Sequence, residues 1–284
     1  MMKLIECPRD AMQGLHEFIP TDVKAGYINQ LLRVGFDTID FGSFVSPKAI
    51  PQMRDTADVL KKLDLSSTDS KLLSIVANQR GADDASAFEE INYLGFPFSI
   101  SETFQVRNTN SSIEESFARV EHIQNTCVKN GKELVVYLSM AFGNPYGDPW
   151  DTSVAAHWGS RLHKELGVNI LALSDTIGVS NKENITSMFK DLMQELPDVE
   201  IGAHLHSTPN SVREKVSAAY EAGCRRFDGA IKGFGGCPMA KDDLTGNMPT
   251  EGMLSYFNES SIGTNIDANE FAKAMQMAMD VFPN

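Results

Sequence analysis

The chain of 284 residues is 42% hydrophobic, enough to bury one barrel-sized core or two ordinary ones, and no linker, low-complexity tract or block of like charge divides it. Its formal net charge of −13 argues against nucleic acid or an anionic membrane surface as a partner, because both demand a concentrated basic face and the most basic short patch is Lys61 with Lys62. No apolar stretch approaches the roughly 20 residues of a membrane span, no charged-then-apolar leader opens the chain, and cysteines 7, 127, 224 and 237 form no CxxC pair, so a soluble, cytoplasmic protein with reduced thiols is expected.

Short apolar runs alternate with longer stretches of helical period, the pattern of βα units on a parallel sheet. The first strand is expected over 3–7, with Cys7 inside it, and leads into Pro8-Arg9-Asp10 rather than a glycine fingerprint. The second, 38–42, carries Asp40 and brings Ser43 to its end; the third is 72–76, and 78–86 reads as a loop. A fourth strand over 96–101 precedes Glu102. Ile113, Phe117, Val120, Ile123 and Cys127 then trace one helix face, with Ser112 and Glu115 as a capping box and Gly131 as a stop. Strands over 134–141 and 169–174 follow, the latter ending on Asp175. The seventh strand is 200–206. Asn210 opens a helix through Val212, Val216 and Tyr220 that closes at Gly223, and the eighth strand, 225–230, runs into a glycine-rich loop from Lys232 to Cys237. About eight such units in a chain of this length fit a single-domain (β/α)8 TIM barrel over 1–284 better than an open sheet, with a C-terminal loop and helices over the barrel mouth.

In such a barrel function gathers at the C-terminal ends of the strands. Side chains alternate along a strand, so Glu200, Gly202, His204 and His206 face one side and Val199, Ile201, Ala203 and Leu205 the other. The two imidazoles, roughly 6.5 to 7 Å apart at the backbone, can converge on one ion. Asp10 would add a carboxylate and Asn247 an amide oxygen. A nitrogen and oxygen set without thiolate suits magnesium, manganese or another octahedral ion, with zinc still possible. Arg9 is a fixed cation able to stabilise an enolate, and Cys237 is a thiol on a flexible loop able to exchange a proton.

These residues sit in a series of motifs: Pro8-Arg9-Asp10, Ser43-Phe-Val-Ser-Pro-Lys-Ala-Ile-Pro-Gln-Met53, Ser101-Glu-Thr-Phe104, Asn110-Ser-Ser-Ile-Glu-Glu-Ser116, Ser174-Asp-Thr-Ile-Gly-Val179, Ala203-His-Leu-His206, Gly233-Phe-Gly-Gly-Cys-Pro238 and Thr245-Gly-Asn-Met-Pro-Thr-Glu251. In that order and spacing, over nearly the whole chain, they resemble the 3-hydroxy-3-methylglutaryl-CoA lyases of the metal-dependent TIM-barrel lyase and Claisen-condensing superfamily. The resemblance implies cleavage of an acyl-CoA substrate to acetyl-CoA and acetoacetate, Asp10, His204, His206 and Asn247 as metal ligands, and Arg9 on the thioester carbonyl. It also implies Cys237 in proton transfer, His204 and Asp40 as catalytic residues, and a homodimer. Lys48 and Ser43 are the candidates for contact with CoA. The chain departs from the family pattern at Ala11, where glycine is usual, at Asp40, where glutamate is expected, and at Phe234, where leucine is expected. Asp40 draws its carboxylate back by roughly 1.5 Å, which leaves the acyl specificity open to a related lyase or a condensing synthase. A binding module without catalysis has no need of a metal, a fixed cation and a thiol together.

Overall fold

The computed structural model describes residues 2–236 and 245–282. Its strands are β1 (Lys3–Glu6), β2 (Thr38–Ser43), β3 (Lys71–Ile75), β4 (Ile91–Ser99), β5 (Glu133–Ser139), β6 (Ile170–Ser174), β7 (Glu200–His204), β8 (His206–Ser207), β9 (Arg226–Gly229) and β10 (Gly246–Asn247). The helices are α1 (Pro8–Gln13), α2 (Thr21–Leu32), α3 (Thr56–Leu60), α4 (Gln79–Ser86), α5 (Glu102–Thr109), α6 (Ile113–Lys129), α7 (Thr152–Leu166), α8 (Lys182–Glu195), α9 (Val212–Glu221), α10 (Thr250–Glu259) and α11 (Ala268–Val281). Strands β1 to β7 and β9 close a parallel barrel in chain order, the seam being four rungs from Lys3↔Arg226 to Glu6↔Gly229. This is the (β/α)8 TIM barrel expected from the alternation of apolar runs. No helix among the described residues is long and apolar enough to cross a membrane.

Two apolar layers hold the barrel. The larger lies between strands and helices and includes Ile39, Leu94, Val136, Leu171 and Phe227 with Leu31, Val120, Phe189 and Val216 from the helices. The smaller fills one half of the interior with Leu73, Ile75, Tyr93, Val135, Tyr137, Ile170 and Ala172 from β3 to β6. The other half is polar. Arg226 and Asp228 alternate with Phe227 along β9 and are fully buried. Arg226 finds room because Gly202 has no side chain: a Cβ there would meet the Arg226 Cδ at 2.9 Å.

Several boundaries differ from the sequence reading, each for a local reason. The stretch 78–86 is not a loop. Asn78 caps α4 by accepting from the Gly81 N–H at 3.0 Å, and the small side chains of Ala82 and Ala85 are fully buried, so a nearly polar segment still packs as a helix. Strand β4 begins at Ile91 rather than 96, because Asn92 repairs a register shift beside β3 by accepting from the Leu72 N–H at 2.9 Å. Strand β5 stops before Met140, whose φ of 61° turns the chain. Cys7 lies just past β1, as the residue before α1, since Pro8 starts a helix at once. Helix α9 begins after Ser211 rather than at Asn210.

The seventh strand divides at Leu205. His204 ends the barrel strand, while His206 pairs antiparallel with Asn247 in the small β8 and β10 ribbon. Helix α11 packs along α2, and Phe282 at its end stacks on Phe234 with ring centroids 4.7 Å apart, tying the C-terminus to the loop after β9.

Candidate active site

Helix α1 places Arg9 and Asp10 at the C-terminal end of β1, both buried. Arg9 Nε donates to the two Asp40 carboxylate oxygens at 3.2 and 3.0 Å, and Nη2 donates to Oδ2 at 2.5 Å. Nη1 donates to Asp10 Oδ1 and to Gln13 Oε1, each at 2.9 Å. Five N–H groups are available on a guanidinium, so one on Nη2 is left. Burial works against the charge on Arg9, but Asp40 and Asp10 outweigh it and hold its pKa above the ordinary value. For Asp40, burial dominates and pushes the carboxyl up to about 6 against the pull of the guanidinium. The shorter Asp40 side chain thus reaches Arg9 without an intervening water.

Asp10, His204 and His206 each offer a ligand atom within 4.8 Å of the others. Burial disfavours charge on Asp10, yet Arg9, His204 and His206 hold its carboxyl below the ordinary range. The imidazoles, with centroids 5.6 Å apart, differ in character. His204 Nδ1 donates to Asp228 Oδ2 at 3.1 Å, and although burial opposes it, that carboxylate raises the His204 pKa. Burial and the neighbouring His204 push His206 down to about 4 against Asp10, Asp175 and the Thr176 backbone, and neither ring nitrogen makes a well-formed hydrogen bond. Asn247 donates through Nδ2 to Asp10 Oδ2 at 2.8 Å and to the Phe234 carbonyl at 2.9 Å. Asp10, His204 and His206 are thus brought together, with Asn247 joined to Asp10 through its Nδ2.

Lys215 of α9 anchors this rim from behind. Its buried ammonium donates to Asp175 Oδ2 at 2.7 Å, to the His206 carbonyl at 2.7 Å and to the Gly178 carbonyl at 3.2 Å. From above, the loop after β9 presses on the site at Gly235, where a Cβ would lie 2.7 Å from the Asp10 carbonyl oxygen and φ is +83°. Cys237 lies outside the described residues.

Other expected residues do different work. Ser43 is buried, donating to the Ile75 carbonyl at 3.2 Å and accepting from the Val45 N–H at 3.3 Å, so it shapes the end of β2. Lys48 is exposed on the following loop, apart from the imidazole cluster. Glu102 caps α6 by accepting from the Ile113 N–H at 3.1 Å. Ala11 turns its methyl into the large apolar layer. Sequence reasoning missed Gln13, Lys215 and Asp228. Of these only Asp228 had a signal, the period-two pairing with Arg226 inside an expected strand.

The HMGL-like family model matches residues 3–278. The chain is 33% identical to a hydroxymethylglutaryl-CoA lyase of Bacillus subtilis over 94% of its own length and 88% of that protein. A solved HMG-CoA lyase structure from Bacillus subtilis superposes with a TM-score of 0.91 at 32% identity, covering 98% of this chain and 93% of the other. An Acinetobacter baumannii HMG-CoA lyase in complex with coenzyme A and 3-methylmalate gives a TM-score of 0.89 at 29% identity, covering 99% and 91%.

Proposed function

The chain belongs to the HMGL-like family, and from that premise we propose that it cleaves 3-hydroxy-3-methylglutaryl-CoA to acetyl-CoA and acetoacetate. The observation that carries the reading is the convergence of Asp10, His204 and His206 beside a guanidinium fixed by Asp40. The donor set fits a divalent ion, magnesium or manganese. His206 is held neutral in a buried place with neither ring nitrogen in a well-formed hydrogen bond, and Asn247 lies against Asp10, so these nitrogens are better matched by a cation than by their neighbours. Such an ion, when bound, would draw a hydroxyl and a carbonyl or carboxylate oxygen of the substrate together and lower the pKa of the hydroxyl.

The residues divide the remaining work. His204, turned by the hydrogen bond from its Nδ1 to Asp228, and His206 are both suited to ligation, and the tertiary hydroxyl proton passes to the carboxylate of Asp10. As the hydroxyl oxygen becomes the ketone of acetoacetate, the electron pair of the broken carbon–carbon bond passes to the thioester as an enolate. Arg9 meets that charge with its remaining Nη2 hydrogen, and Asp40 keeps the guanidinium plane from turning. Cys237 supplies the proton that completes the methyl group of acetyl-CoA. CoA itself lies toward the β2 loop, with Lys48 near its phosphates.

The test is product formation from 3-hydroxy-3-methylglutaryl-CoA by chelator-treated protein, with and without added magnesium or manganese. Acetyl-CoA and acetoacetate in equal amounts, appearing only with metal, are expected. Folded, metal-loaded protein that releases neither product refutes the reading.

A further inference from the structure

Directly behind the Asp10, His204 and His206 cluster is a second convergence of donors. Cys7, His204 and Asp228 also bring their ligand atoms within 4.8 Å of one another. The seam of the barrel fixes this arrangement. Cys7 gives its backbone N–H to the Gly229 carbonyl at 2.8 Å, one residue beyond Asp228, and β1 and β9 are paired rung by rung up to that point. His204 comes from the adjoining β7.

Two of the three side chains have unspent bonding capacity. The Cys7 thiol is 1% exposed, and its nearest hydrogen-bond acceptor is the Ile5 carbonyl at 4.0 Å, a weak contact. Asp228 is 2% exposed, and its Oδ1 has no hydrogen-bond partner. A buried carboxylate oxygen without a partner is unfavourable, because it has given up water and gained nothing in return. Nothing in the lyase chemistry uses Cys7, and a space-filling role would be met by any small apolar side chain.

We propose that Cys7, Nδ1 of His204 and Asp228 form a second metal site, selective for thiophilic ions and placed back to back with the first across the shared imidazole. A sulfur, nitrogen and oxygen set suits zinc or cobalt, whereas magnesium takes oxygen ligands and gains nothing from the thiol. Binding releases the thiol proton and the Nδ1 proton to solvent. It also takes Nδ1 away from its hydrogen bond to Asp228, so an ion here disturbs the orientation of His204 toward the first site. Zinc at this position is therefore an antagonist of magnesium or manganese loading.

The experiment is a titration of the metal-free full chain with cobalt(II), following thiolate-to-cobalt charge-transfer absorption. The band is expected in the wild type, to persist in Cys237→Ser and to vanish in Cys7→Ser, with Asp228→Asn weakening cobalt binding at least tenfold. A band that is absent from the wild type, survives in Cys7→Ser or vanishes in Cys237→Ser overturns the proposal. A measurement that leaves Cys7 intact guards against misfolding. X-ray absorption at the zinc edge of zinc-loaded Cys237→Ser protein is expected to show one sulfur at about 2.3 Å, and a shell of nitrogen and oxygen alone overturns the site. Both readouts are independent of turnover, so a failed lyase assay leaves this test standing.

Discussion

Replacing Asp40 with asparagine removes one charge from a pair that is almost free of water. Asp40 is fully buried and Arg9 nearly so, and three contacts of 2.5, 3.0 and 3.2 Å join them. An asparagine of the same shape offers one acceptor in place of two and turns its own N–H groups toward the guanidinium. Breaking a buried ion pair from one side costs roughly 3–5 kcal/mol. Arg9 keeps Asp10 and Gln13 at 2.9 Å, which places the expected loss near the lower end, about 3 kcal/mol. Urea unfolding of the two proteins at matched m-values reads this directly. If the same energy is lost in the transition state, kcat/KM falls on the order of 100-fold. Asp40→Glu, although it restores the residue usual in the family, forces a methylene into a place already in contact with Arg9 and is expected to cost about 1–3 kcal/mol. An Asp40→Asn protein that unfolds within about 0.5 kcal/mol of wild type and keeps its rate would show that Asp40 does not hold Arg9.

Glu6 makes stability depend on pH in an unusual direction. Burial pushes its carboxyl up to about 8, against hydrogen bonds from Thr250 and the Ile231 N–H. The folded state therefore holds a proton that the unfolded state releases near its ordinary value of 4.5, so this contribution is present below about 4.5 and is lost as pH rises through about 8. Glu6→Gln is expected to remove a slope on the order of a few kcal/mol across that window, and parallel unfolding curves for the two proteins would refute the assignment. His206→Ala should release metal under dialysis that the wild type retains, and unchanged metal content by elemental analysis would make that histidine structural.

The barrel was legible because its evidence is local. Most strands on the barrel wall are apolar runs a few residues long, β9 with its Arg226 and Asp228 being the exception, and each can be read without knowing its neighbours. What failed to show was set by partners distant in sequence. Residues 200–206 keep strand alternation throughout, so nothing in them announces that His206 leaves the barrel to pair with Asn247. Helix α4 escaped because its segment is polar overall and the face it buries consists only of Gly81, Ala82 and Ala85, side chains too small to stand out as an apolar run. The metal-type cluster was legible from His204 and His206 at period two, but their supports were not. Asp228 and Lys215 matter through contacts with His204 and the His206 carbonyl that only the closed barrel creates. Ser43 shows the converse error, since a polar residue at a strand end is also what a chain needs to satisfy its own backbone.

The interior charges are poorly explained as stabilising devices. Arg9 with Asp40 and Lys215 with Asp175 are buried pairs whose desolvation offsets most of their attraction, and apolar replacements of equal volume often serve stability as well or better. The apolar half of the interior, from Leu73 to Ala172, shows that this barrel can fill itself without charge. The charged residues instead gather about β1, β2, β7 and β9, with Lys215 reaching in from α9 and Asp175 from the end of β6, and they fix the directions of groups at the mouth. Asp40 sets the plane of Arg9, Asp228 sets the ring of His204, and Lys215 holds the backbone at His206. Directional constraint is what a site needs when a misplacement of about 1 Å can cost on the order of 100-fold in rate. The placement of these charges thus fits the proposed catalysis, and the stability that permits it comes from the apolar layer beneath the helices.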